Sequence, residues 1–207
     1  GANKSFTLDA PKGIAIYGDF LYVTDITHVR AFKLKDGTNA ADVDLTPLGA
    51  SFLNDITADE KGHLYVSDSS ANAIFFIKTS AGNEARVLLK HEGLRGPNGL
   101  MLHPQTGDII VASLGGGVIL KITSEGIEQL DAGGPFKNLD GIDYDAKGNI
   151  YFSDFTGGVV YRLKQGGKAV PIAQGLKSPA DISVDRKKDI LLIPEFSGDR
   201  VKSLPIQ

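Results

Sequence analysis

Asn54, Asn98 and Asp140 recur at one place in a repeating pattern, and together they offer what a hard cation needs. Each is followed by Gly or Asp and then by an apolar run, in Leu53-Asn54-Asp55-Ile56, Pro97-Asn98-Gly99-Leu100 and Leu139-Asp140-Gly141-Ile142. Two amides and one carboxylate are oxygen donors of the kind Ca²⁺ gathers six to eight at a time, with carbonyls and water completing the set. The plainer reading is that Asn and Asp cap turns that lead into a strand. Lys12 and Ala180 stand in the same register in two further repeats. An ammonium at Lys12 would repel a cation by roughly 4 kcal/mol for unit charges about 4 Å apart at an effective dielectric of ~20, and more for Ca²⁺. Alternatively it pairs with Asp140 in place of a metal, or snorkels outward to water. If the site is catalytic, a divalent ion would polarise a carbonyl and Asp140 would activate the attacking water.

The other candidates carry less chemistry. Asp25, Asp68, Asp154 and Glu195 recur in register, with Ser113 in the third repeat. Acids repeated in this way read best as staples that bond backbone or a Ser/Thr within their own repeat. His28, His63, His91 and His103 fall at unrelated positions with no zinc-type spacing, and the chain has no Cys. Ser113-Leu114-Gly115-Gly116-Gly117 lies between two strands and opens no helix, so it reads as a hairpin loop rather than a phosphate cradle. Gly-x-Ser-x-Gly is absent, which removes the usual serine-hydrolase elbow.

The elements that position these residues are short strands. The segments opening at Pro11, Leu53, Pro97, Leu139 and Pro179 begin 42, 44, 42 and 40 residues apart. About ten residues after each opening comes a second apolar run, such as Leu64-Tyr65-Val66-Ser67-Asp68 or Ile150-Tyr151-Phe152-Ser153-Asp154. A third run alternates apolar and polar, as in Val159-Val160-Tyr161-Arg162-Leu163, and a weaker fourth closes most repeats. Period-two alternation with β-branched and aromatic residues marks strands. Four strands per repeat of about 40–45 residues mark a propeller blade. The expectation is therefore an all-β propeller of five sequence repeats in a single domain, 1–207. The fifth repeat runs out after three strands. Lys4 to Asp9 would supply the fourth and close the ring, removing two exposed sheet edges.

Composition narrows the partners. The 207 residues carry a net charge of −3, so neither a nucleic acid nor an anionic membrane is expected as partner. No apolar run approaches the ~18 residues of a membrane-spanning helix. The start Gly1-Ala2-Asn3 points to a processed or cloned product from which any signal peptide is already gone. The expected partner is a small-molecule substrate or ligand. Oligomeric state is left open, and a periplasmic or secreted location is a guess only.

With Asn54, Asn98 and Asp140 at these spacings, the whole chain resembles the senescence-marker-protein/gluconolactonase (regucalcin-like) family. Paraoxonases and strictosidine synthase look like more distant relatives. The resemblance implies a six-bladed propeller and divalent-metal-dependent hydrolysis of lactones or related esters. Carried over by position, Asn54, Asn98 and Asp140 would be the metal ligands, with Asp140 also the general base and Ca²⁺ or another divalent cation the cofactor. Two departures stand out. The family's Glu-bearing first blade has no counterpart, because Pro11-Lys12-Gly13 matches the second blade. Gly49-Ala50-Ser51-Phe52-Leu53 also lacks the Arg that sugar-acid lactonases often carry before this Asn. The alternatives are a non-catalytic propeller binding module with a degenerate metal site, a truncated six-blade protein, or an assembly subunit completed by another copy or a lost segment.

Overall fold

The computed structural model describes residues 7–206. All its regular elements apart from short 3₁₀ turns are strands, arranged as five antiparallel meanders. The first is β1 (Pro11–Tyr17), β2 (Phe20–Asp25), β3 (His28–Lys33) and β4 (Asn39–Asp44). The second is β5 (Leu53–Ala58), β6 (Leu64–Asp68), β7 (Ala73–Lys78) and β8 (Glu84–Lys90). The third is β9 (Pro97–Leu102), β10 (Ile109–Ser113), β11 (Val118–Thr123) and β12 (Gly126–Gln129). The fourth is β13 (Leu139–Tyr144), β14 (Ile150–Asp154), β15 (Val159–Leu163) and β16 (Ala169–Ala173). The fifth has β17 (Ser183–Asp185), β18 (Ile190–Glu195) and β19 (Arg200–Pro205). The fold class is the five-bladed β-propeller. Among the described residues no helix is long and apolar enough to cross a membrane.

The chain forms two compact units that divide at Pro97 and Asn98. Blades one and two lie in the first unit. Blades three to five lie in the second, with β9 starting at the boundary.

Burial follows the order of strands within a blade. In the fourth, every residue of β14 is buried, whereas β16 has none that is fully buried. Second strands can be apolar on both sides because both of their faces are covered, and an outer strand is covered less. In the second unit, Tyr151 and Val160 pack with Ile182 and Val184, joining the fourth blade to the fifth. Ile110 and Ile119 pack with Leu139 and Ile142, joining the third to the fourth. Phe136, Phe152 and Tyr161 add a knot of rings with centroids 4.9–5.2 Å apart. Aromatic pairs of this kind stabilise by about 0.5–1.5 kcal/mol beyond their burial. In the first unit, Tyr22 and Val29 pack with Leu53 and Ile56 by the same rule.

Two expectations change in detail. The opening strand of the fifth repeat was expected from Pro179 to Val184; β17 covers only Ser183–Asp185, and Pro179 makes an isolated bridge to Glu195. Proline at 179 has no N–H to give to a ladder. Half of the proposed closing strand, Lys4 to Phe6, lies outside the described residues, and Thr7 to Asp9 carry no strand.

Candidate functional site

Lys12, Asn54 and Asp140 sit at register shifts of the β-bulge kind. The pairing of β1 with β2 shifts register between Pro11 and Ile14, that of β5 with β6 between Leu53 and Ile56, and that of β13 with β14 between Leu139 and Ile142. Lys12, Asn54 and Asp140 are each the first residue inside the shift. A bulge breaks the ladder for a residue or two and re-aims their side chains, which is why bulges gather beside binding sites.

Close backbone approach explains the glycine that follows. A Cβ on Gly141 would lie 2.3 Å from the Ile182 nitrogen, and one on Gly99 would lie 2.3 Å from the Asp140 carbonyl oxygen. Either would force the opening strands of neighbouring blades apart. That proximity brings Asn98 to Asp140.

Asn98 is 3% exposed, and its Nδ2 donates to Asp140 Oδ2 at 3.3 Å. Burial pushes the Asp140 carboxyl up to about 6, and the Asn98 hydrogen bond pulls in the opposite direction. Among the described residues, no Lys, Arg or His forms an ion pair with Asp140.

Asn54 lies in the first unit, where its Nδ2 donates to Ser69 Oγ at 3.0 Å. Ser69 Oγ in turn donates to the Pro97 carbonyl at 2.8 Å. Lys12 Nζ donates to the Ala10 carbonyl at 2.9 Å and lies 4.0 Å from the centroid of the Phe52 ring. Burial lowers its pKa, while Asp25 and Asp68 act to raise it. An aromatic face and a carbonyl thus hold this ammonium.

The donor chemistry fits a hard cation, weakly. A desolvated carboxylate with an amide N–H as its partner lacks the counter-charge that buried charges normally have. Rotating the Asn98 amide by half a turn would set its oxygen beside that carboxylate. The charge is low, however: among the described residues no three His, Cys, Asp or Glu side chains gather as a metal would need. Fewer carboxylates mean weaker Ca²⁺ binding.

The acids at the ends of the second strands are staples, as expected. Asp25 accepts from the Asp9 and Ala10 N–H groups. Asp68 accepts from Ser51, Phe52, Ser70 and Ala71. Asp154 accepts from Lys137, Asn138 and Gly157. Glu195 accepts from the Lys177 N–H and is paired with Arg200 and Lys202. Each ties the segment entering its blade to the end of the second strand. Ser113, also buried, occupies this place in the third blade. The four histidines make local contacts: His28 with Asp42, His63 with Asp59, His91 with the Gly93 N–H and His103 with Thr106.

Sequence reasoning missed one positioning device, the hydroxyl just before each staple. Thr24 accepts the Gly13 N–H and donates to the Asn54 carbonyl. Ser153 accepts the Gly141 N–H at 2.9 Å and donates to the Ala180 carbonyl at 2.8 Å. Ser67 accepts the Asp55 N–H at 2.9 Å. These hydroxyls satisfy the N–H that each bulge removes from the ladder, so they fix the backbone next to Lys12, Asn54 and Asp140. Thr24-Asp25, Ser67-Asp68 and Ser153-Asp154 were the available signal.

No protein-family model matches the chain. In sequence it is similar to lactonase drp35 of Staphylococcus aureus (strain MW2), at 24% identity over 169 residues, which is 75% of this chain and 51% of that protein. The chain thus spans about half the length of that curated relative. In structure it is similar to virginiamycin B lyase from Staphylococcus aureus, with a TM-score of 0.73, 19% identity and coverage of 95% of this chain and 70% of that one. It is also similar to a provisionally named gluconolactonase, with a TM-score of 0.71, 13% identity and coverage of 97% and 79%. At these identities the structural likenesses speak for the fold alone. The chain is thus similar in sequence to a lactonase and shares its propeller fold with a gluconolactonase-type protein.

Proposed function

We propose that the chain is a lactonase-type hydrolase of a lactone or related ester, with its reacting centre at the Asn98–Asp140 pair and a divalent cation, Ca²⁺ foremost, as cofactor. The observation that carries the reading is a half-buried, desolvated carboxylate on a β-bulge, paired with the buried Asn98 amide and, among the described residues, with no ion-pairing basic side chain. Asp140 takes a proton from the attacking water at Oδ1 or Oδ2, and its raised affinity for protons suits that task near neutral pH. Asn98 Nδ2 orients the carboxylate. Ser153, by clamping the Gly141 N–H, holds the backbone that carries it. A bound cation would lie against Asp140 and Asn98 and would supply polarisation of the substrate carbonyl. Asn54, whose amide is held by Ser69 within the first unit, is tested separately as a ligand expected from register alone.

The test is calorimetric titration of chelator-treated protein with Ca²⁺, alongside Asp140→Ala and Asn54→Ala and a screen of lactones and aryl esters. The proposal expects micromolar or tighter binding, lost in Asp140→Ala, with hydrolysis lost in parallel. Absence of binding at millimolar Ca²⁺, with no hydrolysis, would sink it. The outcome would then favour the second reading, a non-catalytic binding propeller, for which the low charge of the donor set speaks.

A further inference from the structure

The turn from the second strand to the third has one build in four blades, and only its first side chain changes character. Residues 69–72, 114–117, 155–158 and 196–199 each make this turn. The fourth residue is left-handed every time: Asn72, Gly117, Gly158 and Asp199 have φ of 47°, 55°, 66° and 49°. In three of the turns the first residue gives its backbone N–H to the segment entering the blade. Ser69 gives it to the Phe52 carbonyl at 3.1 Å, Phe155 to Asn138 at 2.8 Å and Phe196 to Ser178 at 3.0 Å. The staple grips the third residue, with Ala71 N–H on Asp68 and Gly157 N–H on Asp154, both at 2.8 Å. One backbone geometry thus sets the first side chain of the turn at one spot in each blade.

The second blade shows what that spot faces. Ser69 Oγ accepts from Asn54 Nδ2 at 3.0 Å and donates to the Pro97 carbonyl at 2.8 Å. The residue after the staple therefore stands beside the bulge side chain of its own blade and the start of the next opening strand. In the fourth blade that bulge side chain is Asp140, and Phe155 stands where Ser69 does. A ring cannot answer a carboxylate as a hydroxyl answers an amide, and Asp140 is desolvated with the Asn98 amide as its partner. The third and fifth blades carry Leu114 and Phe196 at this spot, beside Asn98 and Ala180. The Phe155 and Phe196 rings lie 5.9 Å apart, centroid to centroid. All three apolar residues belong to the second unit, which also holds Asn98 and Asp140.

We infer that Leu114, Phe155 and Phe196 form an apolar rim on the Asn98–Asp140 site, which selects lactones or esters bearing an alkyl or aryl group over polyhydroxylated ones. Phe155 keeps water from the carboxylate, and with Phe196 it offers flat apolar surface to the hydrocarbon of the substrate. The hydroxyls of a sugar lactone would lose water there and find no partner. The substrate class rests on the hydrolase reading above, whereas the rim itself is tested without turnover.

The first test is titration of the Asp140 carboxyl by NMR in chelator-treated protein, for the wild type, Phe155→Ser, Phe155→Leu and Phe196→Ser, with thermal melts to check folding. Phe155→Ser brings the hydroxyl of the second blade to Asp140 and is expected to lower its midpoint by about one pH unit. Phe155→Leu, which installs the side chain of the third blade, is expected to keep the midpoint. An unchanged midpoint in Phe155→Ser, or one lowered as far in Phe155→Leu, would overturn the inference. The second test runs γ-lactones of rising alkyl-chain length against glucono-δ-lactone, and reads the matching γ-lactams, which resist hydrolysis, by calorimetry. Affinity is expected to rise towards about fourfold for each methylene buried, and Phe196→Ser is expected to flatten that rise. A flat wild-type series, or a preference for the sugar lactone, would overturn the inference. Lactam affinity that climbs with chain length while no lactone is hydrolysed would support the rim and sink the hydrolase reading alone.

Discussion

Asp68 is fully buried and Asp140 half-buried, and the surroundings of the two carboxylates could hardly differ more. Asp68 receives four backbone N–H groups, from Ser51, Phe52, Ser70 and Ala71. Asp140 receives one side-chain amide at 3.3 Å and carries a proton affinity raised by burial to about 6. The first carboxylate has its charge answered by dipoles from its own blade and has no capacity left for a ligand. The second is under-answered, which costs stability and leaves room for a cation or a substrate. Position in the repeat does not separate structure from function here, because both residues recur in register. The count of hydrogen bonds does.

The largest effect is expected at the staple. Asp68→Ala leaves four backbone N–H groups in the segments entering β5 and β7 without an acceptor, each orphaned group costing about 1–3 kcal/mol if it stays buried. Part of the loop will reach water, so we expect a loss of about 3–5 kcal/mol, of the size seen when a buried network is broken. Urea unfolding measures it. A loss below about 1 kcal/mol would mean that water replaces the carboxylate freely, and the contrast with Asp140 would fall.

At Asp140 the opposite sign is expected. Its folded pKa is raised from 3.8 to about 6, so the folded state holds the proton more tightly than the unfolded chain does. Stability from this group is then greatest below pH 3.8, declines between 3.8 and about 6 and stays low above. Asp140→Asn removes the penalty and, without divalent cations, should stabilise at pH 7 by about 1–3 kcal/mol, on the scale of 1.36 kcal/mol per pKa unit. Adding Ca²⁺ should raise the Tm of the wild type and leave that of the variant unchanged, since only the wild type gains binding energy in its folded state. A variant less stable than wild type in chelator would show that Asp140 is as well satisfied as Asp68.

Glu195 sharpens the contrast by pH. The Arg200 guanidinium, the Lys177 N–H and the Lys202 ammonium hold its carboxyl down, at about 2. A carboxyl lowered from 4.5 contributes its full stabilisation above pH 4.5 and loses it as the pH falls towards 2. An acid titration followed by circular dichroism should therefore show Glu195→Gln converging on the wild type in that window and lying below it at neutral pH. Asp140 acts in the reverse sense and in a higher window, so as the pH falls from about 6 to 3.8 Asp140→Asn should approach the wild type from above.

The sequence made most of this contrast readable, and the reasons for the gaps are physical. Four runs per repeat, the three-stranded last repeat and the recurring acids all follow from periodicity and turn residues. The staple role of Asp25, Asp68, Asp154 and Glu195 was legible because one residue type in one register serves one local geometry. The bulges at Lys12, Asn54 and Asp140 were not, since a one-residue shift leaves the apolar pattern of Leu139 and Ile142 intact. The helping hydroxyls were visible as letters, but their double bond to two strands needs the third dimension.

The smallest effect is expected at Ser153, and it ties the two carboxylates together. Its hydroxyl stands one residue before the staple Asp154 and accepts the N–H of Gly141, one residue after Asp140. Ser153→Ala deletes that acceptor and the donor to the Ala180 carbonyl, for which about 1 kcal/mol is expected, near the low end for a buried hydrogen bond. The third blade argues that the loss is tolerable, because Ala112 occupies this place and is itself fully buried. If the hydroxyl only fills space, stability will drop slightly and Ca²⁺ affinity will not move. If it holds the bulge that aims Asp140, the Ca²⁺ titration of Ser153→Ala should weaken by about tenfold, a further ~1.4 kcal/mol beyond the cost to folding. Ser153→Thr, which keeps the hydroxyl as Thr24 does in the first blade, should then restore the affinity.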